Sequence, residues 1–281
     1  MTEAVPAAAF FIAGWAVTRL ILPGMLEMIR EAGFLRPNYR GEEIPCGAGV
    51  VIYFGSLAVL TVSLLFSWPA EAEMRLKAAV FLLALSGFTL LGLVDDVWGS
   101  GQCRGILGNL RSLLGGRLTT GSLKALAGGL LAILIAAAGG PREHIPLNAL
   151  VIALSVNTLN LLDLRPGRAG KSFLAVGILI AAAFPLRMEI VFLAAVAGSL
   201  LAYLPYDLGA RAMMGDTGAN ALGSVLGVTA AWLFDPGTKI AYLAALVVLH
   251  ILAEKYSFTR IISSNRVLDY LDRLGREKGR N

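Results

Sequence analysis

Residues 78–96 read AAVFLLALSGFTLLGLVDD. The stretch carries no charge until it closes on Asp95 and Asp96. A helix needs about 20 mostly apolar residues to cross a bilayer, and this run supplies nearly all of them. Carboxylates are costly at membrane depth, by roughly 2.5–3.5 kcal/mol each at a helix centre, so acids placed there usually line a functional cavity. Further apolar runs cover residues 5–24, 47–68, 122–140, 145–162, 171–186, 188–206, 218–234 and 239–257. Together they predict an all-α integral membrane protein with about nine transmembrane helices. Composition agrees: 57% of the 281 residues are hydrophobic and mean hydropathy is +0.72. A soluble bundle of this kind would need helices apolar on every face, which only a very large core absorbs.

Alternation through these spans gathers most basic residues on one side. Arg19, Arg30, Arg36, Arg40, Arg104, Arg111, Arg117, Lys124, Arg165, Arg168, Lys171, Arg211 and the bases after residue 254 fall there. The other side keeps Arg75, Lys77, Arg142, Arg187 and Lys239. The positive-inside rule makes the rich side cytoplasmic, with the N-terminus outside and the C-terminus inside. The protein is therefore expected to be a multi-pass protein of the cell membrane. Arg19, Pro23 and Glu27 follow the apolar part of the first run where a cleavage motif would stand, so it reads as a retained helix. The net charge of +5 is accounted for by the same asymmetry and calls for no nucleic-acid partner. Cys46 and Cys103 share the inner side, where no disulfide is expected, and their spacing fits no metal pattern. Residues 1–258 read as one polytopic transmembrane catalytic domain. Residues 259–281 read as a short amphipathic cytoplasmic tail, with Val267, Leu268, Tyr270, Leu271 and Leu274 set among charges.

The polar constellations all fall on that inner face. Asp95 and Asp96 are helix neighbours about 100° apart, so they need not share a ligand. The pair suits a Mg²⁺ ion or a shared proton for base chemistry, and equally a polar stop at a span end. Asn157, Asn160 and Asp163 recur every three residues and form one slanting stripe, for a cavity or for helix–helix hydrogen bonding. Gly215-Asp216-Thr217-Gly218 sets a carboxylate in a glycine-flanked turn at a helix start. Exposed amides there favour an anion while the acid binds a metal; a plain N-cap is the other reading. Lys124 and Arg211 suit phosphate or positive-inside anchoring. Asp207 closes the seventh span, and Arg40 lies in the first inner loop. His250 lies within a span and reads as a packed or hydrogen-bonded side chain, and without a His cluster a zinc site is not expected.

In this order the motifs resemble a superfamily, the polyprenyl-phosphate N-acetylhexosamine-1-phosphate transferases (MraY/WecA-like, glycosyltransferase family 4). The resemblance spans roughly residues 30–235. It rests on Gly41-x-x-Ile44-Pro45-x-Gly47-x-Gly49, Asp95-Asp96-x-x-Gly99, Asn157-x-x-Asn160-x-x-Asp163 and Gly215-Asp216-Thr217-Gly218. The chain resembles a divergent member. The resemblance implies Mg²⁺-dependent transfer of a sugar-1-phosphate from a UDP-amino sugar to polyprenyl (undecaprenyl) phosphate, releasing UMP at the cytoplasmic face. That places the protein in cell-envelope biogenesis. It implies Asp95, Asp96 and Asp216 as catalytic residues, with Asp216 and Asp95 on the metal. Asn157, Asn160, Asp163, Lys124, Arg211, Asp207 and Arg40 are the substrate-binding set. The implied partners are the lipid phosphate, a nucleotide sugar and the membrane, and a homodimer is compatible. The chain departs from the family at Leu164-Arg165-Pro166-Gly167-Arg168, where Asp-Gly-x-Asp-Gly usually continues. It has no His motif near residues 262–266 and carries Asp207 where Asn is usual. These changes leave open a noncatalytic lipid-phosphate-binding relative or a transferase with a nonstandard donor.

Overall fold

A computed structural model of the protein describes residues 7–66, 72–99, 116 and 119–277. Cys103, Arg104, Arg111, Arg117, Lys278 and Arg280 lie outside the described residues. The helices are α1 (Ala7–Glu31), α2 (Val50–Phe66), α3 (Ala72–Trp98), α4 (Thr120–Gly139), α5 (Ile145–Leu162) and α6 (Arg168–Ala183). They continue with α7 (Ile190–Leu208), α8 (Gly215–Leu233), α9 (Pro236–Lys255), α10 (Phe258–Ser264) and α11 (Arg266–Arg273). Each expected span overlaps one helix of the set α1–α9. Among the described residues, six helices are long and apolar enough to cross a membrane. They are α1, α3, α4, α5 with the 3₁₀ turn before it, α7 and α9. The α2 helix is apolar but shorter, at 17 residues.

Local sequence explains several boundaries. Thr119 and Ser122 form a reciprocal capping box that starts α4. Asp235 accepts from the Gly237 and Thr238 amides, and Pro236 supplies a first-turn residue that has no N–H to satisfy.

The all-helical expectation needs one correction. Strands β1 (Leu35–Pro37) and β2 (Glu43–Pro45) pair antiparallel, with Leu35 opposite Pro45 and Pro37 opposite Glu43. Asn38 shapes the turn, its side-chain oxygen accepting from the Arg40 and Glu42 amides at 2.8 and 3.0 Å. The pairing is too short for hydrophobic alternation to reveal it.

At the centre lies α8, buried on every face from Thr217 through Ala231. Its small residues let α3 and α5 pack closely on either side. The α1 helix packs along α7. At the end of the bundle away from Asp216, Lys77 and Arg187 both bond Glu189, at 2.9 and 3.1 Å. Burial opposes ionisation of Glu189, but the two cations outweigh it and bring its pKa down to about 2. A depressed carboxylate contributes stability that is fully present above its unfolded value and lost as pH falls through the folded one. The melting-temperature gap between wild type and Glu189→Gln in detergent should therefore hold steady above about pH 4.5 and close as pH falls towards about 2. A gap that ignores pH in that window would mean the ion pairs contribute no stability.

Candidate active site

The chain brings the end of α3 against the start of α8. A Cβ on Gly92 would collide with the Asp216 carbonyl, so only glycine lets α3 approach so closely. Gly215 has a φ of +70°, and a Cβ there would fall 2.5 Å from Asp96 Oδ2. The first loop closes the same turn through main-chain bonds. Ala48 and Gly49 amides donate to the Met213 and Met214 carbonyls at 2.9 Å, and Met213 N–H donates to the Pro45 carbonyl at 2.8 Å.

The two neighbouring aspartates point to different tasks. Asp96 turns into the start of α8. Its Oδ1 accepts from the Asp216 amide at 3.0 Å; its Oδ2 accepts from the Thr217 amide at 2.9 Å and the Thr217 hydroxyl at 2.6 Å. The Gly215 backbone favours the ionised form of Asp163. The Asp216 and Thr217 amides that open α8 are thus held by Asp96. This corrects the expectation of a helix start open to an anion, and the N-cap comes from another helix instead of from Asp216 or Thr217. Burial, then the charges of Asp207, Asp216 and Asp96, push Asp163 well above the usual carboxylate range.

Asp95 faces the cleft. Its Oδ2 lies 3.6 Å from Lys124 Nζ, and the Thr120 hydroxyl also bonds it. Lys124 forms a close ion pair with Asp216 Oδ2, which also accepts from Asn160 Nδ2 at 3.2 Å. The side chains of Lys124, Asp95 and Asp216 are 17%, 24% and 28% exposed, so the cluster stays reachable by a ligand. Four residues from three helices, α3, α4 and α5, and the turn opening α8 therefore converge: Asp95, Lys124, Asn160 and Asp216.

The other expected residues sit elsewhere. Asn157 is bonded to His250 Nε2 at 2.8 Å, and His250 Nδ1 meets the Leu246 carbonyl at 2.7 Å. With the carbonyl taking the Nδ1 proton, Nε2 is left to accept from Asn157. Asp207 is buried and accepts from the Gly167 amide at 2.8 Å, which anchors the 163–168 loop. Arg211 lies over the Tyr206 ring and 3.5 Å from Glu277. Arg40 lies over Tyr39 and donates to the Glu277 carbonyl at 2.9 Å. Both arginines thus meet the C-terminal tail. The residue that sequence reading passed over is Thr120, which carried no signal; Thr217, read as a possible N-cap, instead donates its hydroxyl to Asp96.

The donor set can be compared with the habits of a magnesium ion. Among the described residues, no three His, Cys, Asp or Glu side chains group as a metal site. Magnesium is commonly held by one or two carboxylates plus substrate phosphates and water, and Asp95 with Asp216 fits that habit. The Lys124 ammonium already marks the spot between them as one where positive charge is favoured.

The model of glycosyl transferase family 4 matches residues 78–234, more than half of the chain. The matched region contains all four converging residues. The chain belongs to glycosyl transferase family 4, the superfamily its motifs resemble. With its apolar helices, this makes it a multi-pass membrane glycosyltransferase-family protein. Comparison with curated proteins finds no match.

Proposed function

We propose that the protein is a phosphoglycosyl transferase, moving a sugar-1-phosphate from a UDP-amino sugar to polyprenyl phosphate at the cytoplasmic membrane face. The observation that carries this reading is the convergence of Asp95, Lys124, Asn160 and Asp216 at one end of the bundle. Two anions must meet in such a reaction, so the site has to neutralise charge as well as position it. Asp216 and Asp95 would hold Mg²⁺. Bound there, the ion would neutralise the donor diphosphate and polarise its phosphoryl oxygens. Lys124 then offers its ammonium to a phosphate oxygen in place of Asp216. Asn160 orients the Asp216 carboxylate. Asp96 acts one step back, fixing the backbone that carries Asp216. The basic residues around this end support its orientation towards the cytoplasm.

The test is incubation of the purified chain with Mg²⁺, undecaprenyl phosphate and a panel of UDP-sugars. UMP release with at least one donor, abolished by a chelator, is the expected result. Silence with every donor would count against the reaction. A second reading, a noncatalytic lipid-phosphate-binding relative, is favoured by one observation. Arg168, in the altered 164–168 loop, is bonded to Asp272 of the tail. Lipid-phosphate binding that survives Asp216→Asn, with no turnover, would select it.

A further inference from the structure

The α11 helix is docked the wrong way round for a helix in water. Its polar side faces the protein. Arg168 donates from Nε and Nη2 to the two Asp272 oxygens at 2.8 and 2.9 Å, in a bidentate pair whose side chains are 5% and 9% exposed. Lys171 Nζ donates to the carbonyls of Leu271, Asp272 and Leu274 at 2.8, 2.6 and 3.2 Å, closing the C-terminal end of the helix. Arg276 Nε donates to the Pro166 carbonyl at 2.8 Å, just beyond the helix. The apolar side points outward instead. Val267, Tyr270, Leu271 and Leu274 are all at least half exposed. At 100° per residue these four share one arc, and Asp269 and Asp272 fall on the opposite one, with exposed Arg273 between the two.

We propose that this apolar face is an interaction surface for anionic phospholipid, and that Arg168–Asp272 couples its seating to the 163–168 loop. Two observations choose the occupant. The tail follows directly from α9, which ends at Lys255, and α10 begins at Phe258, so it leaves the bilayer within a few residues. Exposed Arg260, Arg266 and Arg273 flank the apolar arc, with Tyr256 and Tyr270 exposed beside them. A basic rim around an apolar face is the composition of a helix lying in a headgroup layer, and it complements anionic lipid. Burial works against the ionised form of Asp272, and Arg168 and Arg276 outweigh it to hold the carboxyl below the usual range. The latch is therefore ionised at neutral pH. The same loop ends on Asp207 through Gly167, so a seated helix steadies the segment that follows Asp163.

The test needs no donor, carrier lipid or turnover, so it stands apart from the transferase reading. A nitroxide is placed on the full chain at Leu271→Cys or, as control, Asp269→Cys. Cys103→Ser removes the other labelling site, and Cys46 is buried. In nanodiscs with anionic lipid, the probe at 271 should lose access to a water-soluble nickel relaxant and gain collisions with oxygen. The probe at 269, on the side that faces the protein, should read the same with and without anionic lipid. Without anionic lipid the loss at 271 should shrink. Arg168→Ala should make the probe at 271 more mobile, and Arg168→Lys should restore part of the order. Nickel access at 271 that does not change with anionic lipid would overturn the lipid surface, as would spin–spin broadening between copies, which would assign the face to a second chain. An Arg168→Ala spectrum identical to wild type would overturn the coupling.

Discussion

Asp216→Asn is expected to abolish UMP release while the bundle stays folded. The residue receives Lys124 and Asn160 on one oxygen, and it is the group through which α8 meets α3, α4 and α5. Asparagine keeps the shape and still accepts from Asn160 or Lys124, so packing is preserved. It removes the negative charge that balances Lys124 and would hold a cation. Loss of one preorganised electrostatic group costs on the order of 100- to 1,000-fold in kcat, and a metal ligand belongs at the upper end. Lys124→Met should be nearly as damaging, since Asp95 and Asp216 would then face each other without a cation in the absence of metal. Turnover in the Asn variant within a few-fold of wild type, with an unchanged melting temperature, would remove Asp216 from the chemistry.

Asp96→Ala should instead unfold the protein more readily. It strips acceptors from two amides and a hydroxyl that no water replaces easily: Asp216 N–H, Thr217 N–H and Thr217 Oγ1–H. Each buried donor left unpaired costs about 1–3 kcal/mol, and the three act as one unit, so the sum is not simply additive. A loss of about 3 kcal/mol is the expected scale. Asp95→Ala, at the neighbouring position, should change stability much less. Its partly exposed carboxylate faces an ammonium and, among the described residues, fixes no main-chain amide. Thermal melts of the two variants in one detergent check the contrast. Equal melting temperatures would show that Asp96 does not hold the turn.

These two outcomes mark how far the residues alone could be read. Helices were legible because long apolar runs stand out, and every run from 5–24 to 239–257 overlaps a helix, though among the described residues only six are long and apolar enough to cross a membrane. The convergence of Asp95 and Asp216 was legible because each stood at a span end beside glycines that suit close approach. The division of labour between Asp95 and Asp96 was not. The 100° between them says that they diverge, but which one faces the turn depends on how α3 rotates against α8. Asn157 was grouped with Asn160 by spacing, yet its partner is His250 on α9, reached only through packing. Asp207 likewise reads as a site residue until Gly167 is seen donating to it. The β1–β2 hairpin, three residues in each strand, was too brief to leave a period.

The enclosure of α8 bears on biosynthesis. Rich in glycine and alanine and carrying Asp216, Thr217, Asn220, Ser224 and Thr229, it is not among the six helices that are long and apolar enough to cross a membrane among the described residues. On leaving the ribosome it would partition into lipid poorly by itself, because its small and polar residues gain little there. It gains by entering a groove already lined by α3 and α5, both made earlier. The acidic centre is therefore a late product of assembly, and a nascent chain released before α8 would hold Asp95 and Asp96 with nothing to cap.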